Sequence, residues 1–115
     1  MHELSIATAI LEAAQREAAL HADAPLQKIA VRVGELAAVD PEALRFGFEM
    51  ITKATDLEGV ELELEFIARA NRCADCGREF TVKDFEFRCP GCGSDNTCFL
   101  RGDELEIAYL ELEDA

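Results

Sequence analysis

Four of the five cysteines fall in two C-x-x-C pairs, Cys73/Cys76 and Cys89/Cys92, with residues 77–88 between them. A two-residue spacing lets a tight turn aim two thiolates at one ion, and two such knuckles at this separation form a zinc-ribbon pattern. Gly77, Gly91 and Gly93 supply backbone freedom in the turns, and Pro90 stiffens the second one. The intervening EFTVKDFEFR is predicted to form a short hairpin that brings the knuckles together. Four sulfurs leave no open position, so the expected site is closed, tetrahedral and structural, whereas catalytic zinc keeps a vacancy for water. Zinc is the expected ion; an iron–sulfur centre or a redox-active C-x-x-C pair has no other support in the chain. A module spanning 69–101 is too short to bury a sufficient core, and a bound metal would substitute for one. Cys98, in TCFL, lies outside the pattern and reads as a buried, inert thiol.

The flanking sequence alternates between helical and extended spacing. Over residues 4–20, Leu4, Ala7, Leu11, Ala14 and Ala18 recur at three- and four-residue steps, which predicts an amphipathic helix. The run HADAP ends it, because Pro25 cannot continue a helix. KIAVRV, residues 28–33, alternates Ile29, Val31 and Val33 against Lys28 and Arg32 and reads as a strand. DPEALRFGFEMI reads as a second helix with Asp40 as N-cap and Pro41 at its first position. Leu44, Phe48 and Ile51 form its expected buried stripe, with Gly47 allowing close packing. VELELEFI sets Val60, Leu62, Leu64 and Phe66 against Glu61, Glu63 and Glu65, a half-buried strand. ELEIAYLELE alternates again, with Leu105, Ile107 and Tyr109 on one face, and the pattern blurs at Leu110 and Leu112. The fold expected is α+β, with two helices packed on a small three-stranded sheet and an inserted zinc-ribbon module. Residues 1–68 and 102–115 form the expected main domain, and 69–101 the ribbon.

Charge narrows the function. There are 24 acidic and 11 basic residues, a formal net charge of −13. Such a surface repels nucleic acid and anionic membranes, whose capture needs clustered Lys and Arg. The ribbon itself sets Arg78, Lys83 and Arg88 against Asp75, Glu79, Asp84, Glu86 and Asp95. It suits a chain that attracts cations or docks on a basic partner. No stretch approaches the ~18 apolar residues of a spanning helix. The first residues lack the basic and apolar regions of a signal peptide, so the default expectation is cytoplasmic. No Ser/His/Asp or Cys/His arrangement and no Gly-rich phosphate loop points to an enzyme.

The opening MHELS holds the remaining candidate. An N-terminal amine, the amide nitrogen of His2 and its imidazole lie within one chelating reach. Ni(II) and Cu(II) accept planar sets of nitrogen and oxygen, and imidazole suits nickel. Glu3 adds a carboxylate, and has an alternative use beside a helix N-terminus, where negative charge is favourable. His21 reads as a solvated histidine near a helix end.

MHELS, VRVGELAAVDPEALRFGFEM, TDLEGVELEL, the paired C-x-x-C knuckles and RGDELEIAYLELE occur in that order, and together they resemble the HypA/HybF family of nickel metallochaperones in NiFe-hydrogenase maturation. The resemblance covers essentially the whole chain. It implies a nickel-binding domain of two helices on a three-stranded sheet, with a structural zinc site at Cys73, Cys76, Cys89 and Cys92. It implies that His2 ligates Ni(II) with backbone nitrogens including that of Met1, with Glu3 as ligand or supporting neighbour. Asp40 matches a carboxylate position near the nickel site, although an N-cap role also accounts for it. The implied partners are a maturation GTPase of the nickel-insertion pathway and the large subunit of NiFe-hydrogenase; a monomer or a homodimer could complete the nickel sphere. The rival reading is a zinc-ribbon interaction adaptor with no metal-delivery role.

Overall fold

The structure, a computed structural model, describes residues 2–21 and 24–113. The elements in chain order are α1 (His2–Ala18), β1 (Leu26–Gly34), a 3-10 turn (Glu35–Ala37), α2 (Pro41–Thr52), β2 (Glu61–Ile67), β3 (Ala70–Cys73), β4 (Glu79–Thr81), β5 (Thr97–Arg101) and β6 (Leu105–Leu112). They form two three-stranded sheets, in strand orders β2-β1-β6 and β4-β3-β5. The chain divides into two compact units, one of Met1–Arg32, Val39–Glu65 and Glu106–Ala115, the other of Val33–Ala38 and Phe66–Leu105.

In the first unit β1 is the central strand and carries the core. Ile29 and Val31 are fully buried on one side, and Ala30 is buried on the other. A strand paired on both edges and covered by helices has no exposed position for these β-branched residues, which explains their choice. The helices contribute Ala7, Ile10, Leu11 and Ala14 from α1 and Leu44, Phe48 and Thr52 from α2. The helical spacing of the apolar residues thus finds its layer, with shifts at the ends. Leu4 is 38% exposed, Ala18 and Ile51 are half-buried, and Ile10 enters the core. Gly47 is buried against Leu4, but a Cβ there would meet Leu4 at 3.5 Å, an ordinary contact, so the close approach does not demand glycine. Asp40 is extended (φ −78°, ψ 113°), and its carboxylate accepts from the amides of Glu42 and Ala43 at 3.0 and 3.3 Å, the N-cap expected before Pro41.

The face of this sheet away from the core is polar. Lys28 on β1 reaches Glu63 at 3.4 Å and Glu61 at 3.7 Å on β2, and Glu111 at 3.3 Å on β6. Tyr109 donates its hydroxyl proton to Glu63 at 2.7 Å. The hydrogen bond with Glu111 raises the Lys28 pKa against partial burial, and the fields of Glu111 and Glu63 add to it. The Tyr109 hydroxyl, followed by the Lys28 charge, holds Glu63 below the ordinary carboxylate range. Tyr109 is therefore turned toward the wet side, contrary to its expected grouping with an apolar stripe. A phenol needs a partner for its hydroxyl, while Leu110 and Leu112 do not. Ala108, Leu110 and Leu112 line a groove with Ala13 and Glu17 of α1, and Ile107 and Tyr109 reach its rim as well.

In the second unit β3 pairs antiparallel with β4 (Asn71 opposite Phe80) and with β5 (Asn71 opposite Phe99), with an irregularity between Ala70 and Asn71. The hairpin expected within EFTVKDFEFR is reduced to one bridge, Lys83 with Glu86, closing a turn in which Asp84 and Phe85 both have positive φ. β4 is instead paired with β3, whose four residues carry too little pattern to be read as a strand. Cys98 is exposed, contrary to its expected burial. It lies on the edge strand β5, four of whose five residues are exposed, and no second layer covers it. Among the described residues, no helix is long and apolar enough to cross a membrane.

Candidate metal centres

The knuckles are built alike. In the first, the amide of Cys73 donates to the carbonyl of Arg78 at 2.8 Å, and Gly77 donates to the carbonyl of Cys73 at 2.9 Å. In the second, Cys89 donates to Ser94 at 3.0 Å and Gly93 to Cys89 at 2.9 Å. Gly77 and Gly93 have φ of +79° and +77°, the left-handed conformation that this hydrogen-bond pattern imposes and that a Cβ would oppose. A clasp joins the two loops. Ser94 donates its hydroxyl proton to Asp75, Asn96 donates to the other oxygen of Asp75 at 3.4 Å, and the amide of Ala74 donates to the carbonyl of Asn96 at 2.9 Å. The cysteine spacing by itself does not mark Asp75, Ser94 and Asn96 as site residues. An acidic residue inside one knuckle and a Ser-x-Asn just after the other are the signal that could have found them.

The result is that all four sulfurs of Cys73, Cys76, Cys89 and Cys92 lie within 4.8 Å of one another. Cys73–Cys92 and Cys76–Cys89 stand at 3.5 and 3.6 Å. Four thiolates around zinc at ~2.3 Å would be spaced by ~3.8 Å, so the cluster fits a tetrahedral ion with little rearrangement. Cys73 and Cys89 are buried and Cys76 and Cys92 face solvent, which gives the ion an entry side. The amide of Cys92 lowers Cys89 to about 6 against burial, aided by Gly91, whose N–H lies 3.4 Å from the sulfur. Cys92 is pushed up to about 12; the amide of Ser94 opposes the rise, but the Cys73 thiol, burial and the other thiols outweigh it. Four sulfurs this close cannot all ionise without a cation, and a divalent ion removes that repulsion.

Of the residues expected at the other site, His2 and Glu3 lie at the start of α1 and Asp40 just before α2. His2 is the first residue of that helix and is exposed. Glu3 is half-buried, and its Oε2 accepts the backbone N–H of Asp40 at 3.3 Å, joining positions 37 residues apart. Asp40 spends Oδ1 on capping α2. Met1 lies outside the described residues. His21 is exposed beside Glu17, at 3.9 Å, and joins neither cluster.

Fold and cluster together define a class: a small α+β protein carrying a closed four-thiol cage able to hold a metal ion such as zinc. The family profile described as hydrogenase/urease nickel incorporation, metallochaperone, HypA, matches residues 1–112. The chain belongs to the HypA family. It is 43% identical over 117 residues to the hydrogenase maturation factor HypA of Solidesulfovibrio magneticus, covering 98% of this chain and 100% of that one. It is 35% identical over 113 residues to that of Acidithiobacillus ferrooxidans, with the same coverage. The fold is similar to the solution structure of the nickel metallochaperone HypA from Helicobacter pylori, with a TM-score of 0.64 at 20% identity over 98% of each chain.

Proposed function

We propose that this chain is a carrier that binds Ni(II) at its N-terminal end and delivers it in the cytoplasm for maturation of NiFe-hydrogenase, while zinc on the four cysteines holds the ribbon in shape. His2 supplies its imidazole and amide nitrogen, Met1 its amine, and Glu3 and Asp40 their carboxylates. The observation that carries this reading is the family match over residues 1–112, and the hydrogen bond from the Asp40 amide to Glu3 supports it by bringing the residue before α2 to the start of α1, where His2 is exposed. Because α1 starts at His2, its first amides have no acceptor within the helix. Nickel can take the His2 amide nitrogen without breaking a helical hydrogen bond. The positive end of the helix dipole opposes a bound cation, and the Glu3 carboxylate and an ionised amide offset it.

Separating the sites separates the metals. Thiolates suit zinc, and imidazole with oxygen suits nickel. A site of few side chains at a helix end also releases its cargo readily, as a carrier must. The receiving partners are the maturation GTPase and the large hydrogenase subunit, met by this chain as a monomer or a homodimer.

The test is nickel titration of an untagged chain, with elemental analysis of the same samples. The wild type is expected to bind nickel tightly with one zinc per chain, and His2→Ala to lose the nickel and keep the zinc. Nickel affinity is also expected to fall on acidification, since the nitrogen ligands must be unprotonated. A His2→Ala chain that binds nickel as tightly as the wild type overturns the assignment, and a wild type indifferent to nickel leaves the adaptor role.

A further inference from the structure

Strand β6 is an edge strand of eight residues, LEIAYLEL, and none of its residues is buried. Natural edge strands are usually defended by Pro, Lys, bulges or a covering element, because an open edge invites another strand. β6 contains no Pro, Lys or Gly, and its only charges are Glu106 and Glu111. Beside it runs a groove of about 560 Å³, lined by Ala13, Glu17 and His21 of α1 and its following turn and, on β6, by residues 107–110 and Leu112. An open backbone edge next to a partly apolar slot provides the two parts of strand addition: main-chain hydrogen bonds for affinity and a pocket for alternate side chains.

The charges select the occupant. Glu17 lies in the groove wall, Glu106 and Glu113 are exposed along the strand, and α1 offers Arg16 against them. Lys28 is already held by Glu61, Glu63 and Glu111 on the sheet face. A second copy pairing β6 to β6 would bring glutamates of both strands together between chains of net charge −13. The acid on this edge therefore rejects its own kind and admits the opposite sign.

We propose that β6 receives an extended, basic segment of a partner protein as a fourth strand, its apolar side chains entering the groove beside α1. The assignment is independent of either metal site.

The experiment measures fluorescence anisotropy of a labelled peptide alternating Val and Lys, of the same length as β6, against the full zinc-loaded chain. Comparison peptides alternate Val and Glu, or carry the Val and Lys residues in two blocks. Two further versions are N-methylated at odd or at even amides. The Val-Lys peptide is expected to bind, one methylation pattern to abolish binding and the other to leave it, since only one set of amides faces β6. Leu110→Lys and Glu17→Lys should each weaken binding roughly tenfold or more. Glu17 is exposed, so its variant reports even where Leu110→Lys disturbs folding. Absence of binding, equal binding of the acidic or blocked peptide, or indifference to methylation overturns the proposal. So does a dimer in sedimentation that Leu110→Lys dissociates, which would give the edge to a second copy.

Discussion

Asp40 is asked to do two things, and substitution separates them. Its Oδ1 accepts from two amides at the start of α2, at 3.0 and 3.3 Å. Removing such a cap costs about 1 kcal/mol, while Asn or Ser retains most of it. Unfolding entropy of ~2.1 cal/mol/K per residue gives roughly 0.24 kcal/mol/K over the 115 residues. Asp40→Ala should therefore lower Tm by about 4 °C, and Asp40→Ser or Asp40→Asn by no more than about 1 °C. Thermal denaturation of the zinc-loaded, nickel-free chain followed by circular dichroism reads this directly. Nickel titration of the same three variants reads the second role. A ligating carboxylate predicts that Asn and Ser weaken nickel binding as much as Ala, although their Tm is unchanged. A cap alone predicts that nickel affinity is the same in Asn, Ser and wild type. An Asp40→Ala chain with wild-type Tm, or a Ser variant as unstable as Ala, would refute the capping argument.

Gly93→Ala meets no atom within 4 Å of the added Cβ, so its cost isolates the backbone conformation. At φ +77° the expected loss is about 1 kcal/mol, read as an earlier urea midpoint and easier zinc removal by a chelator. Chelation of the wild type, or Cys73→Ser, should collapse amide-exchange protection over β3 to β5 while α1 and α2 keep theirs. Tyr109→Phe removes the main group lowering Glu63, so the Glu63 carboxyl should titrate closer to its ordinary value by NMR. The sign follows from linkage: a lowered carboxyl contributes stability above its unfolded pKa, lost as pH falls through the folded one. The wild type should accordingly lose stability in mild acid more steeply than Tyr109→Phe.

What could be read in the sequence was whatever repeats locally. Alternation exposed β1 and β2, three- and four-residue spacing exposed both helices, and Asp-Pro announced the start of α2. The knuckles were legible because each is a self-contained turn with its own glycine. The features that escaped depend on distant partners or on absent ones. Glu3 meets Asp40 across the chain, and no local pattern pairs them. The strand β3 is four residues long and acquires its identity from β4 and β5. Cys98 has the composition of a core residue but sits where the fold supplies no second layer. Tyr109 alternates with Leu105 and Ile107, yet it lies on the polar face, where its hydroxyl finds Glu63.

The position of Lys28 has a consequence for how the first sheet comes together. One ammonium touches carboxylates on both neighbouring strands, so its contacts exist only when β2 and β6 are both aligned with β1. Sliding either neighbour by a single residue swaps its inward and outward side chains. The glutamates would then be driven among the aliphatics, and the lysine would face none of them. A single ammonium thus proofreads the alignment of three strands, and misaligned assemblies of this acid-rich chain are penalised twice.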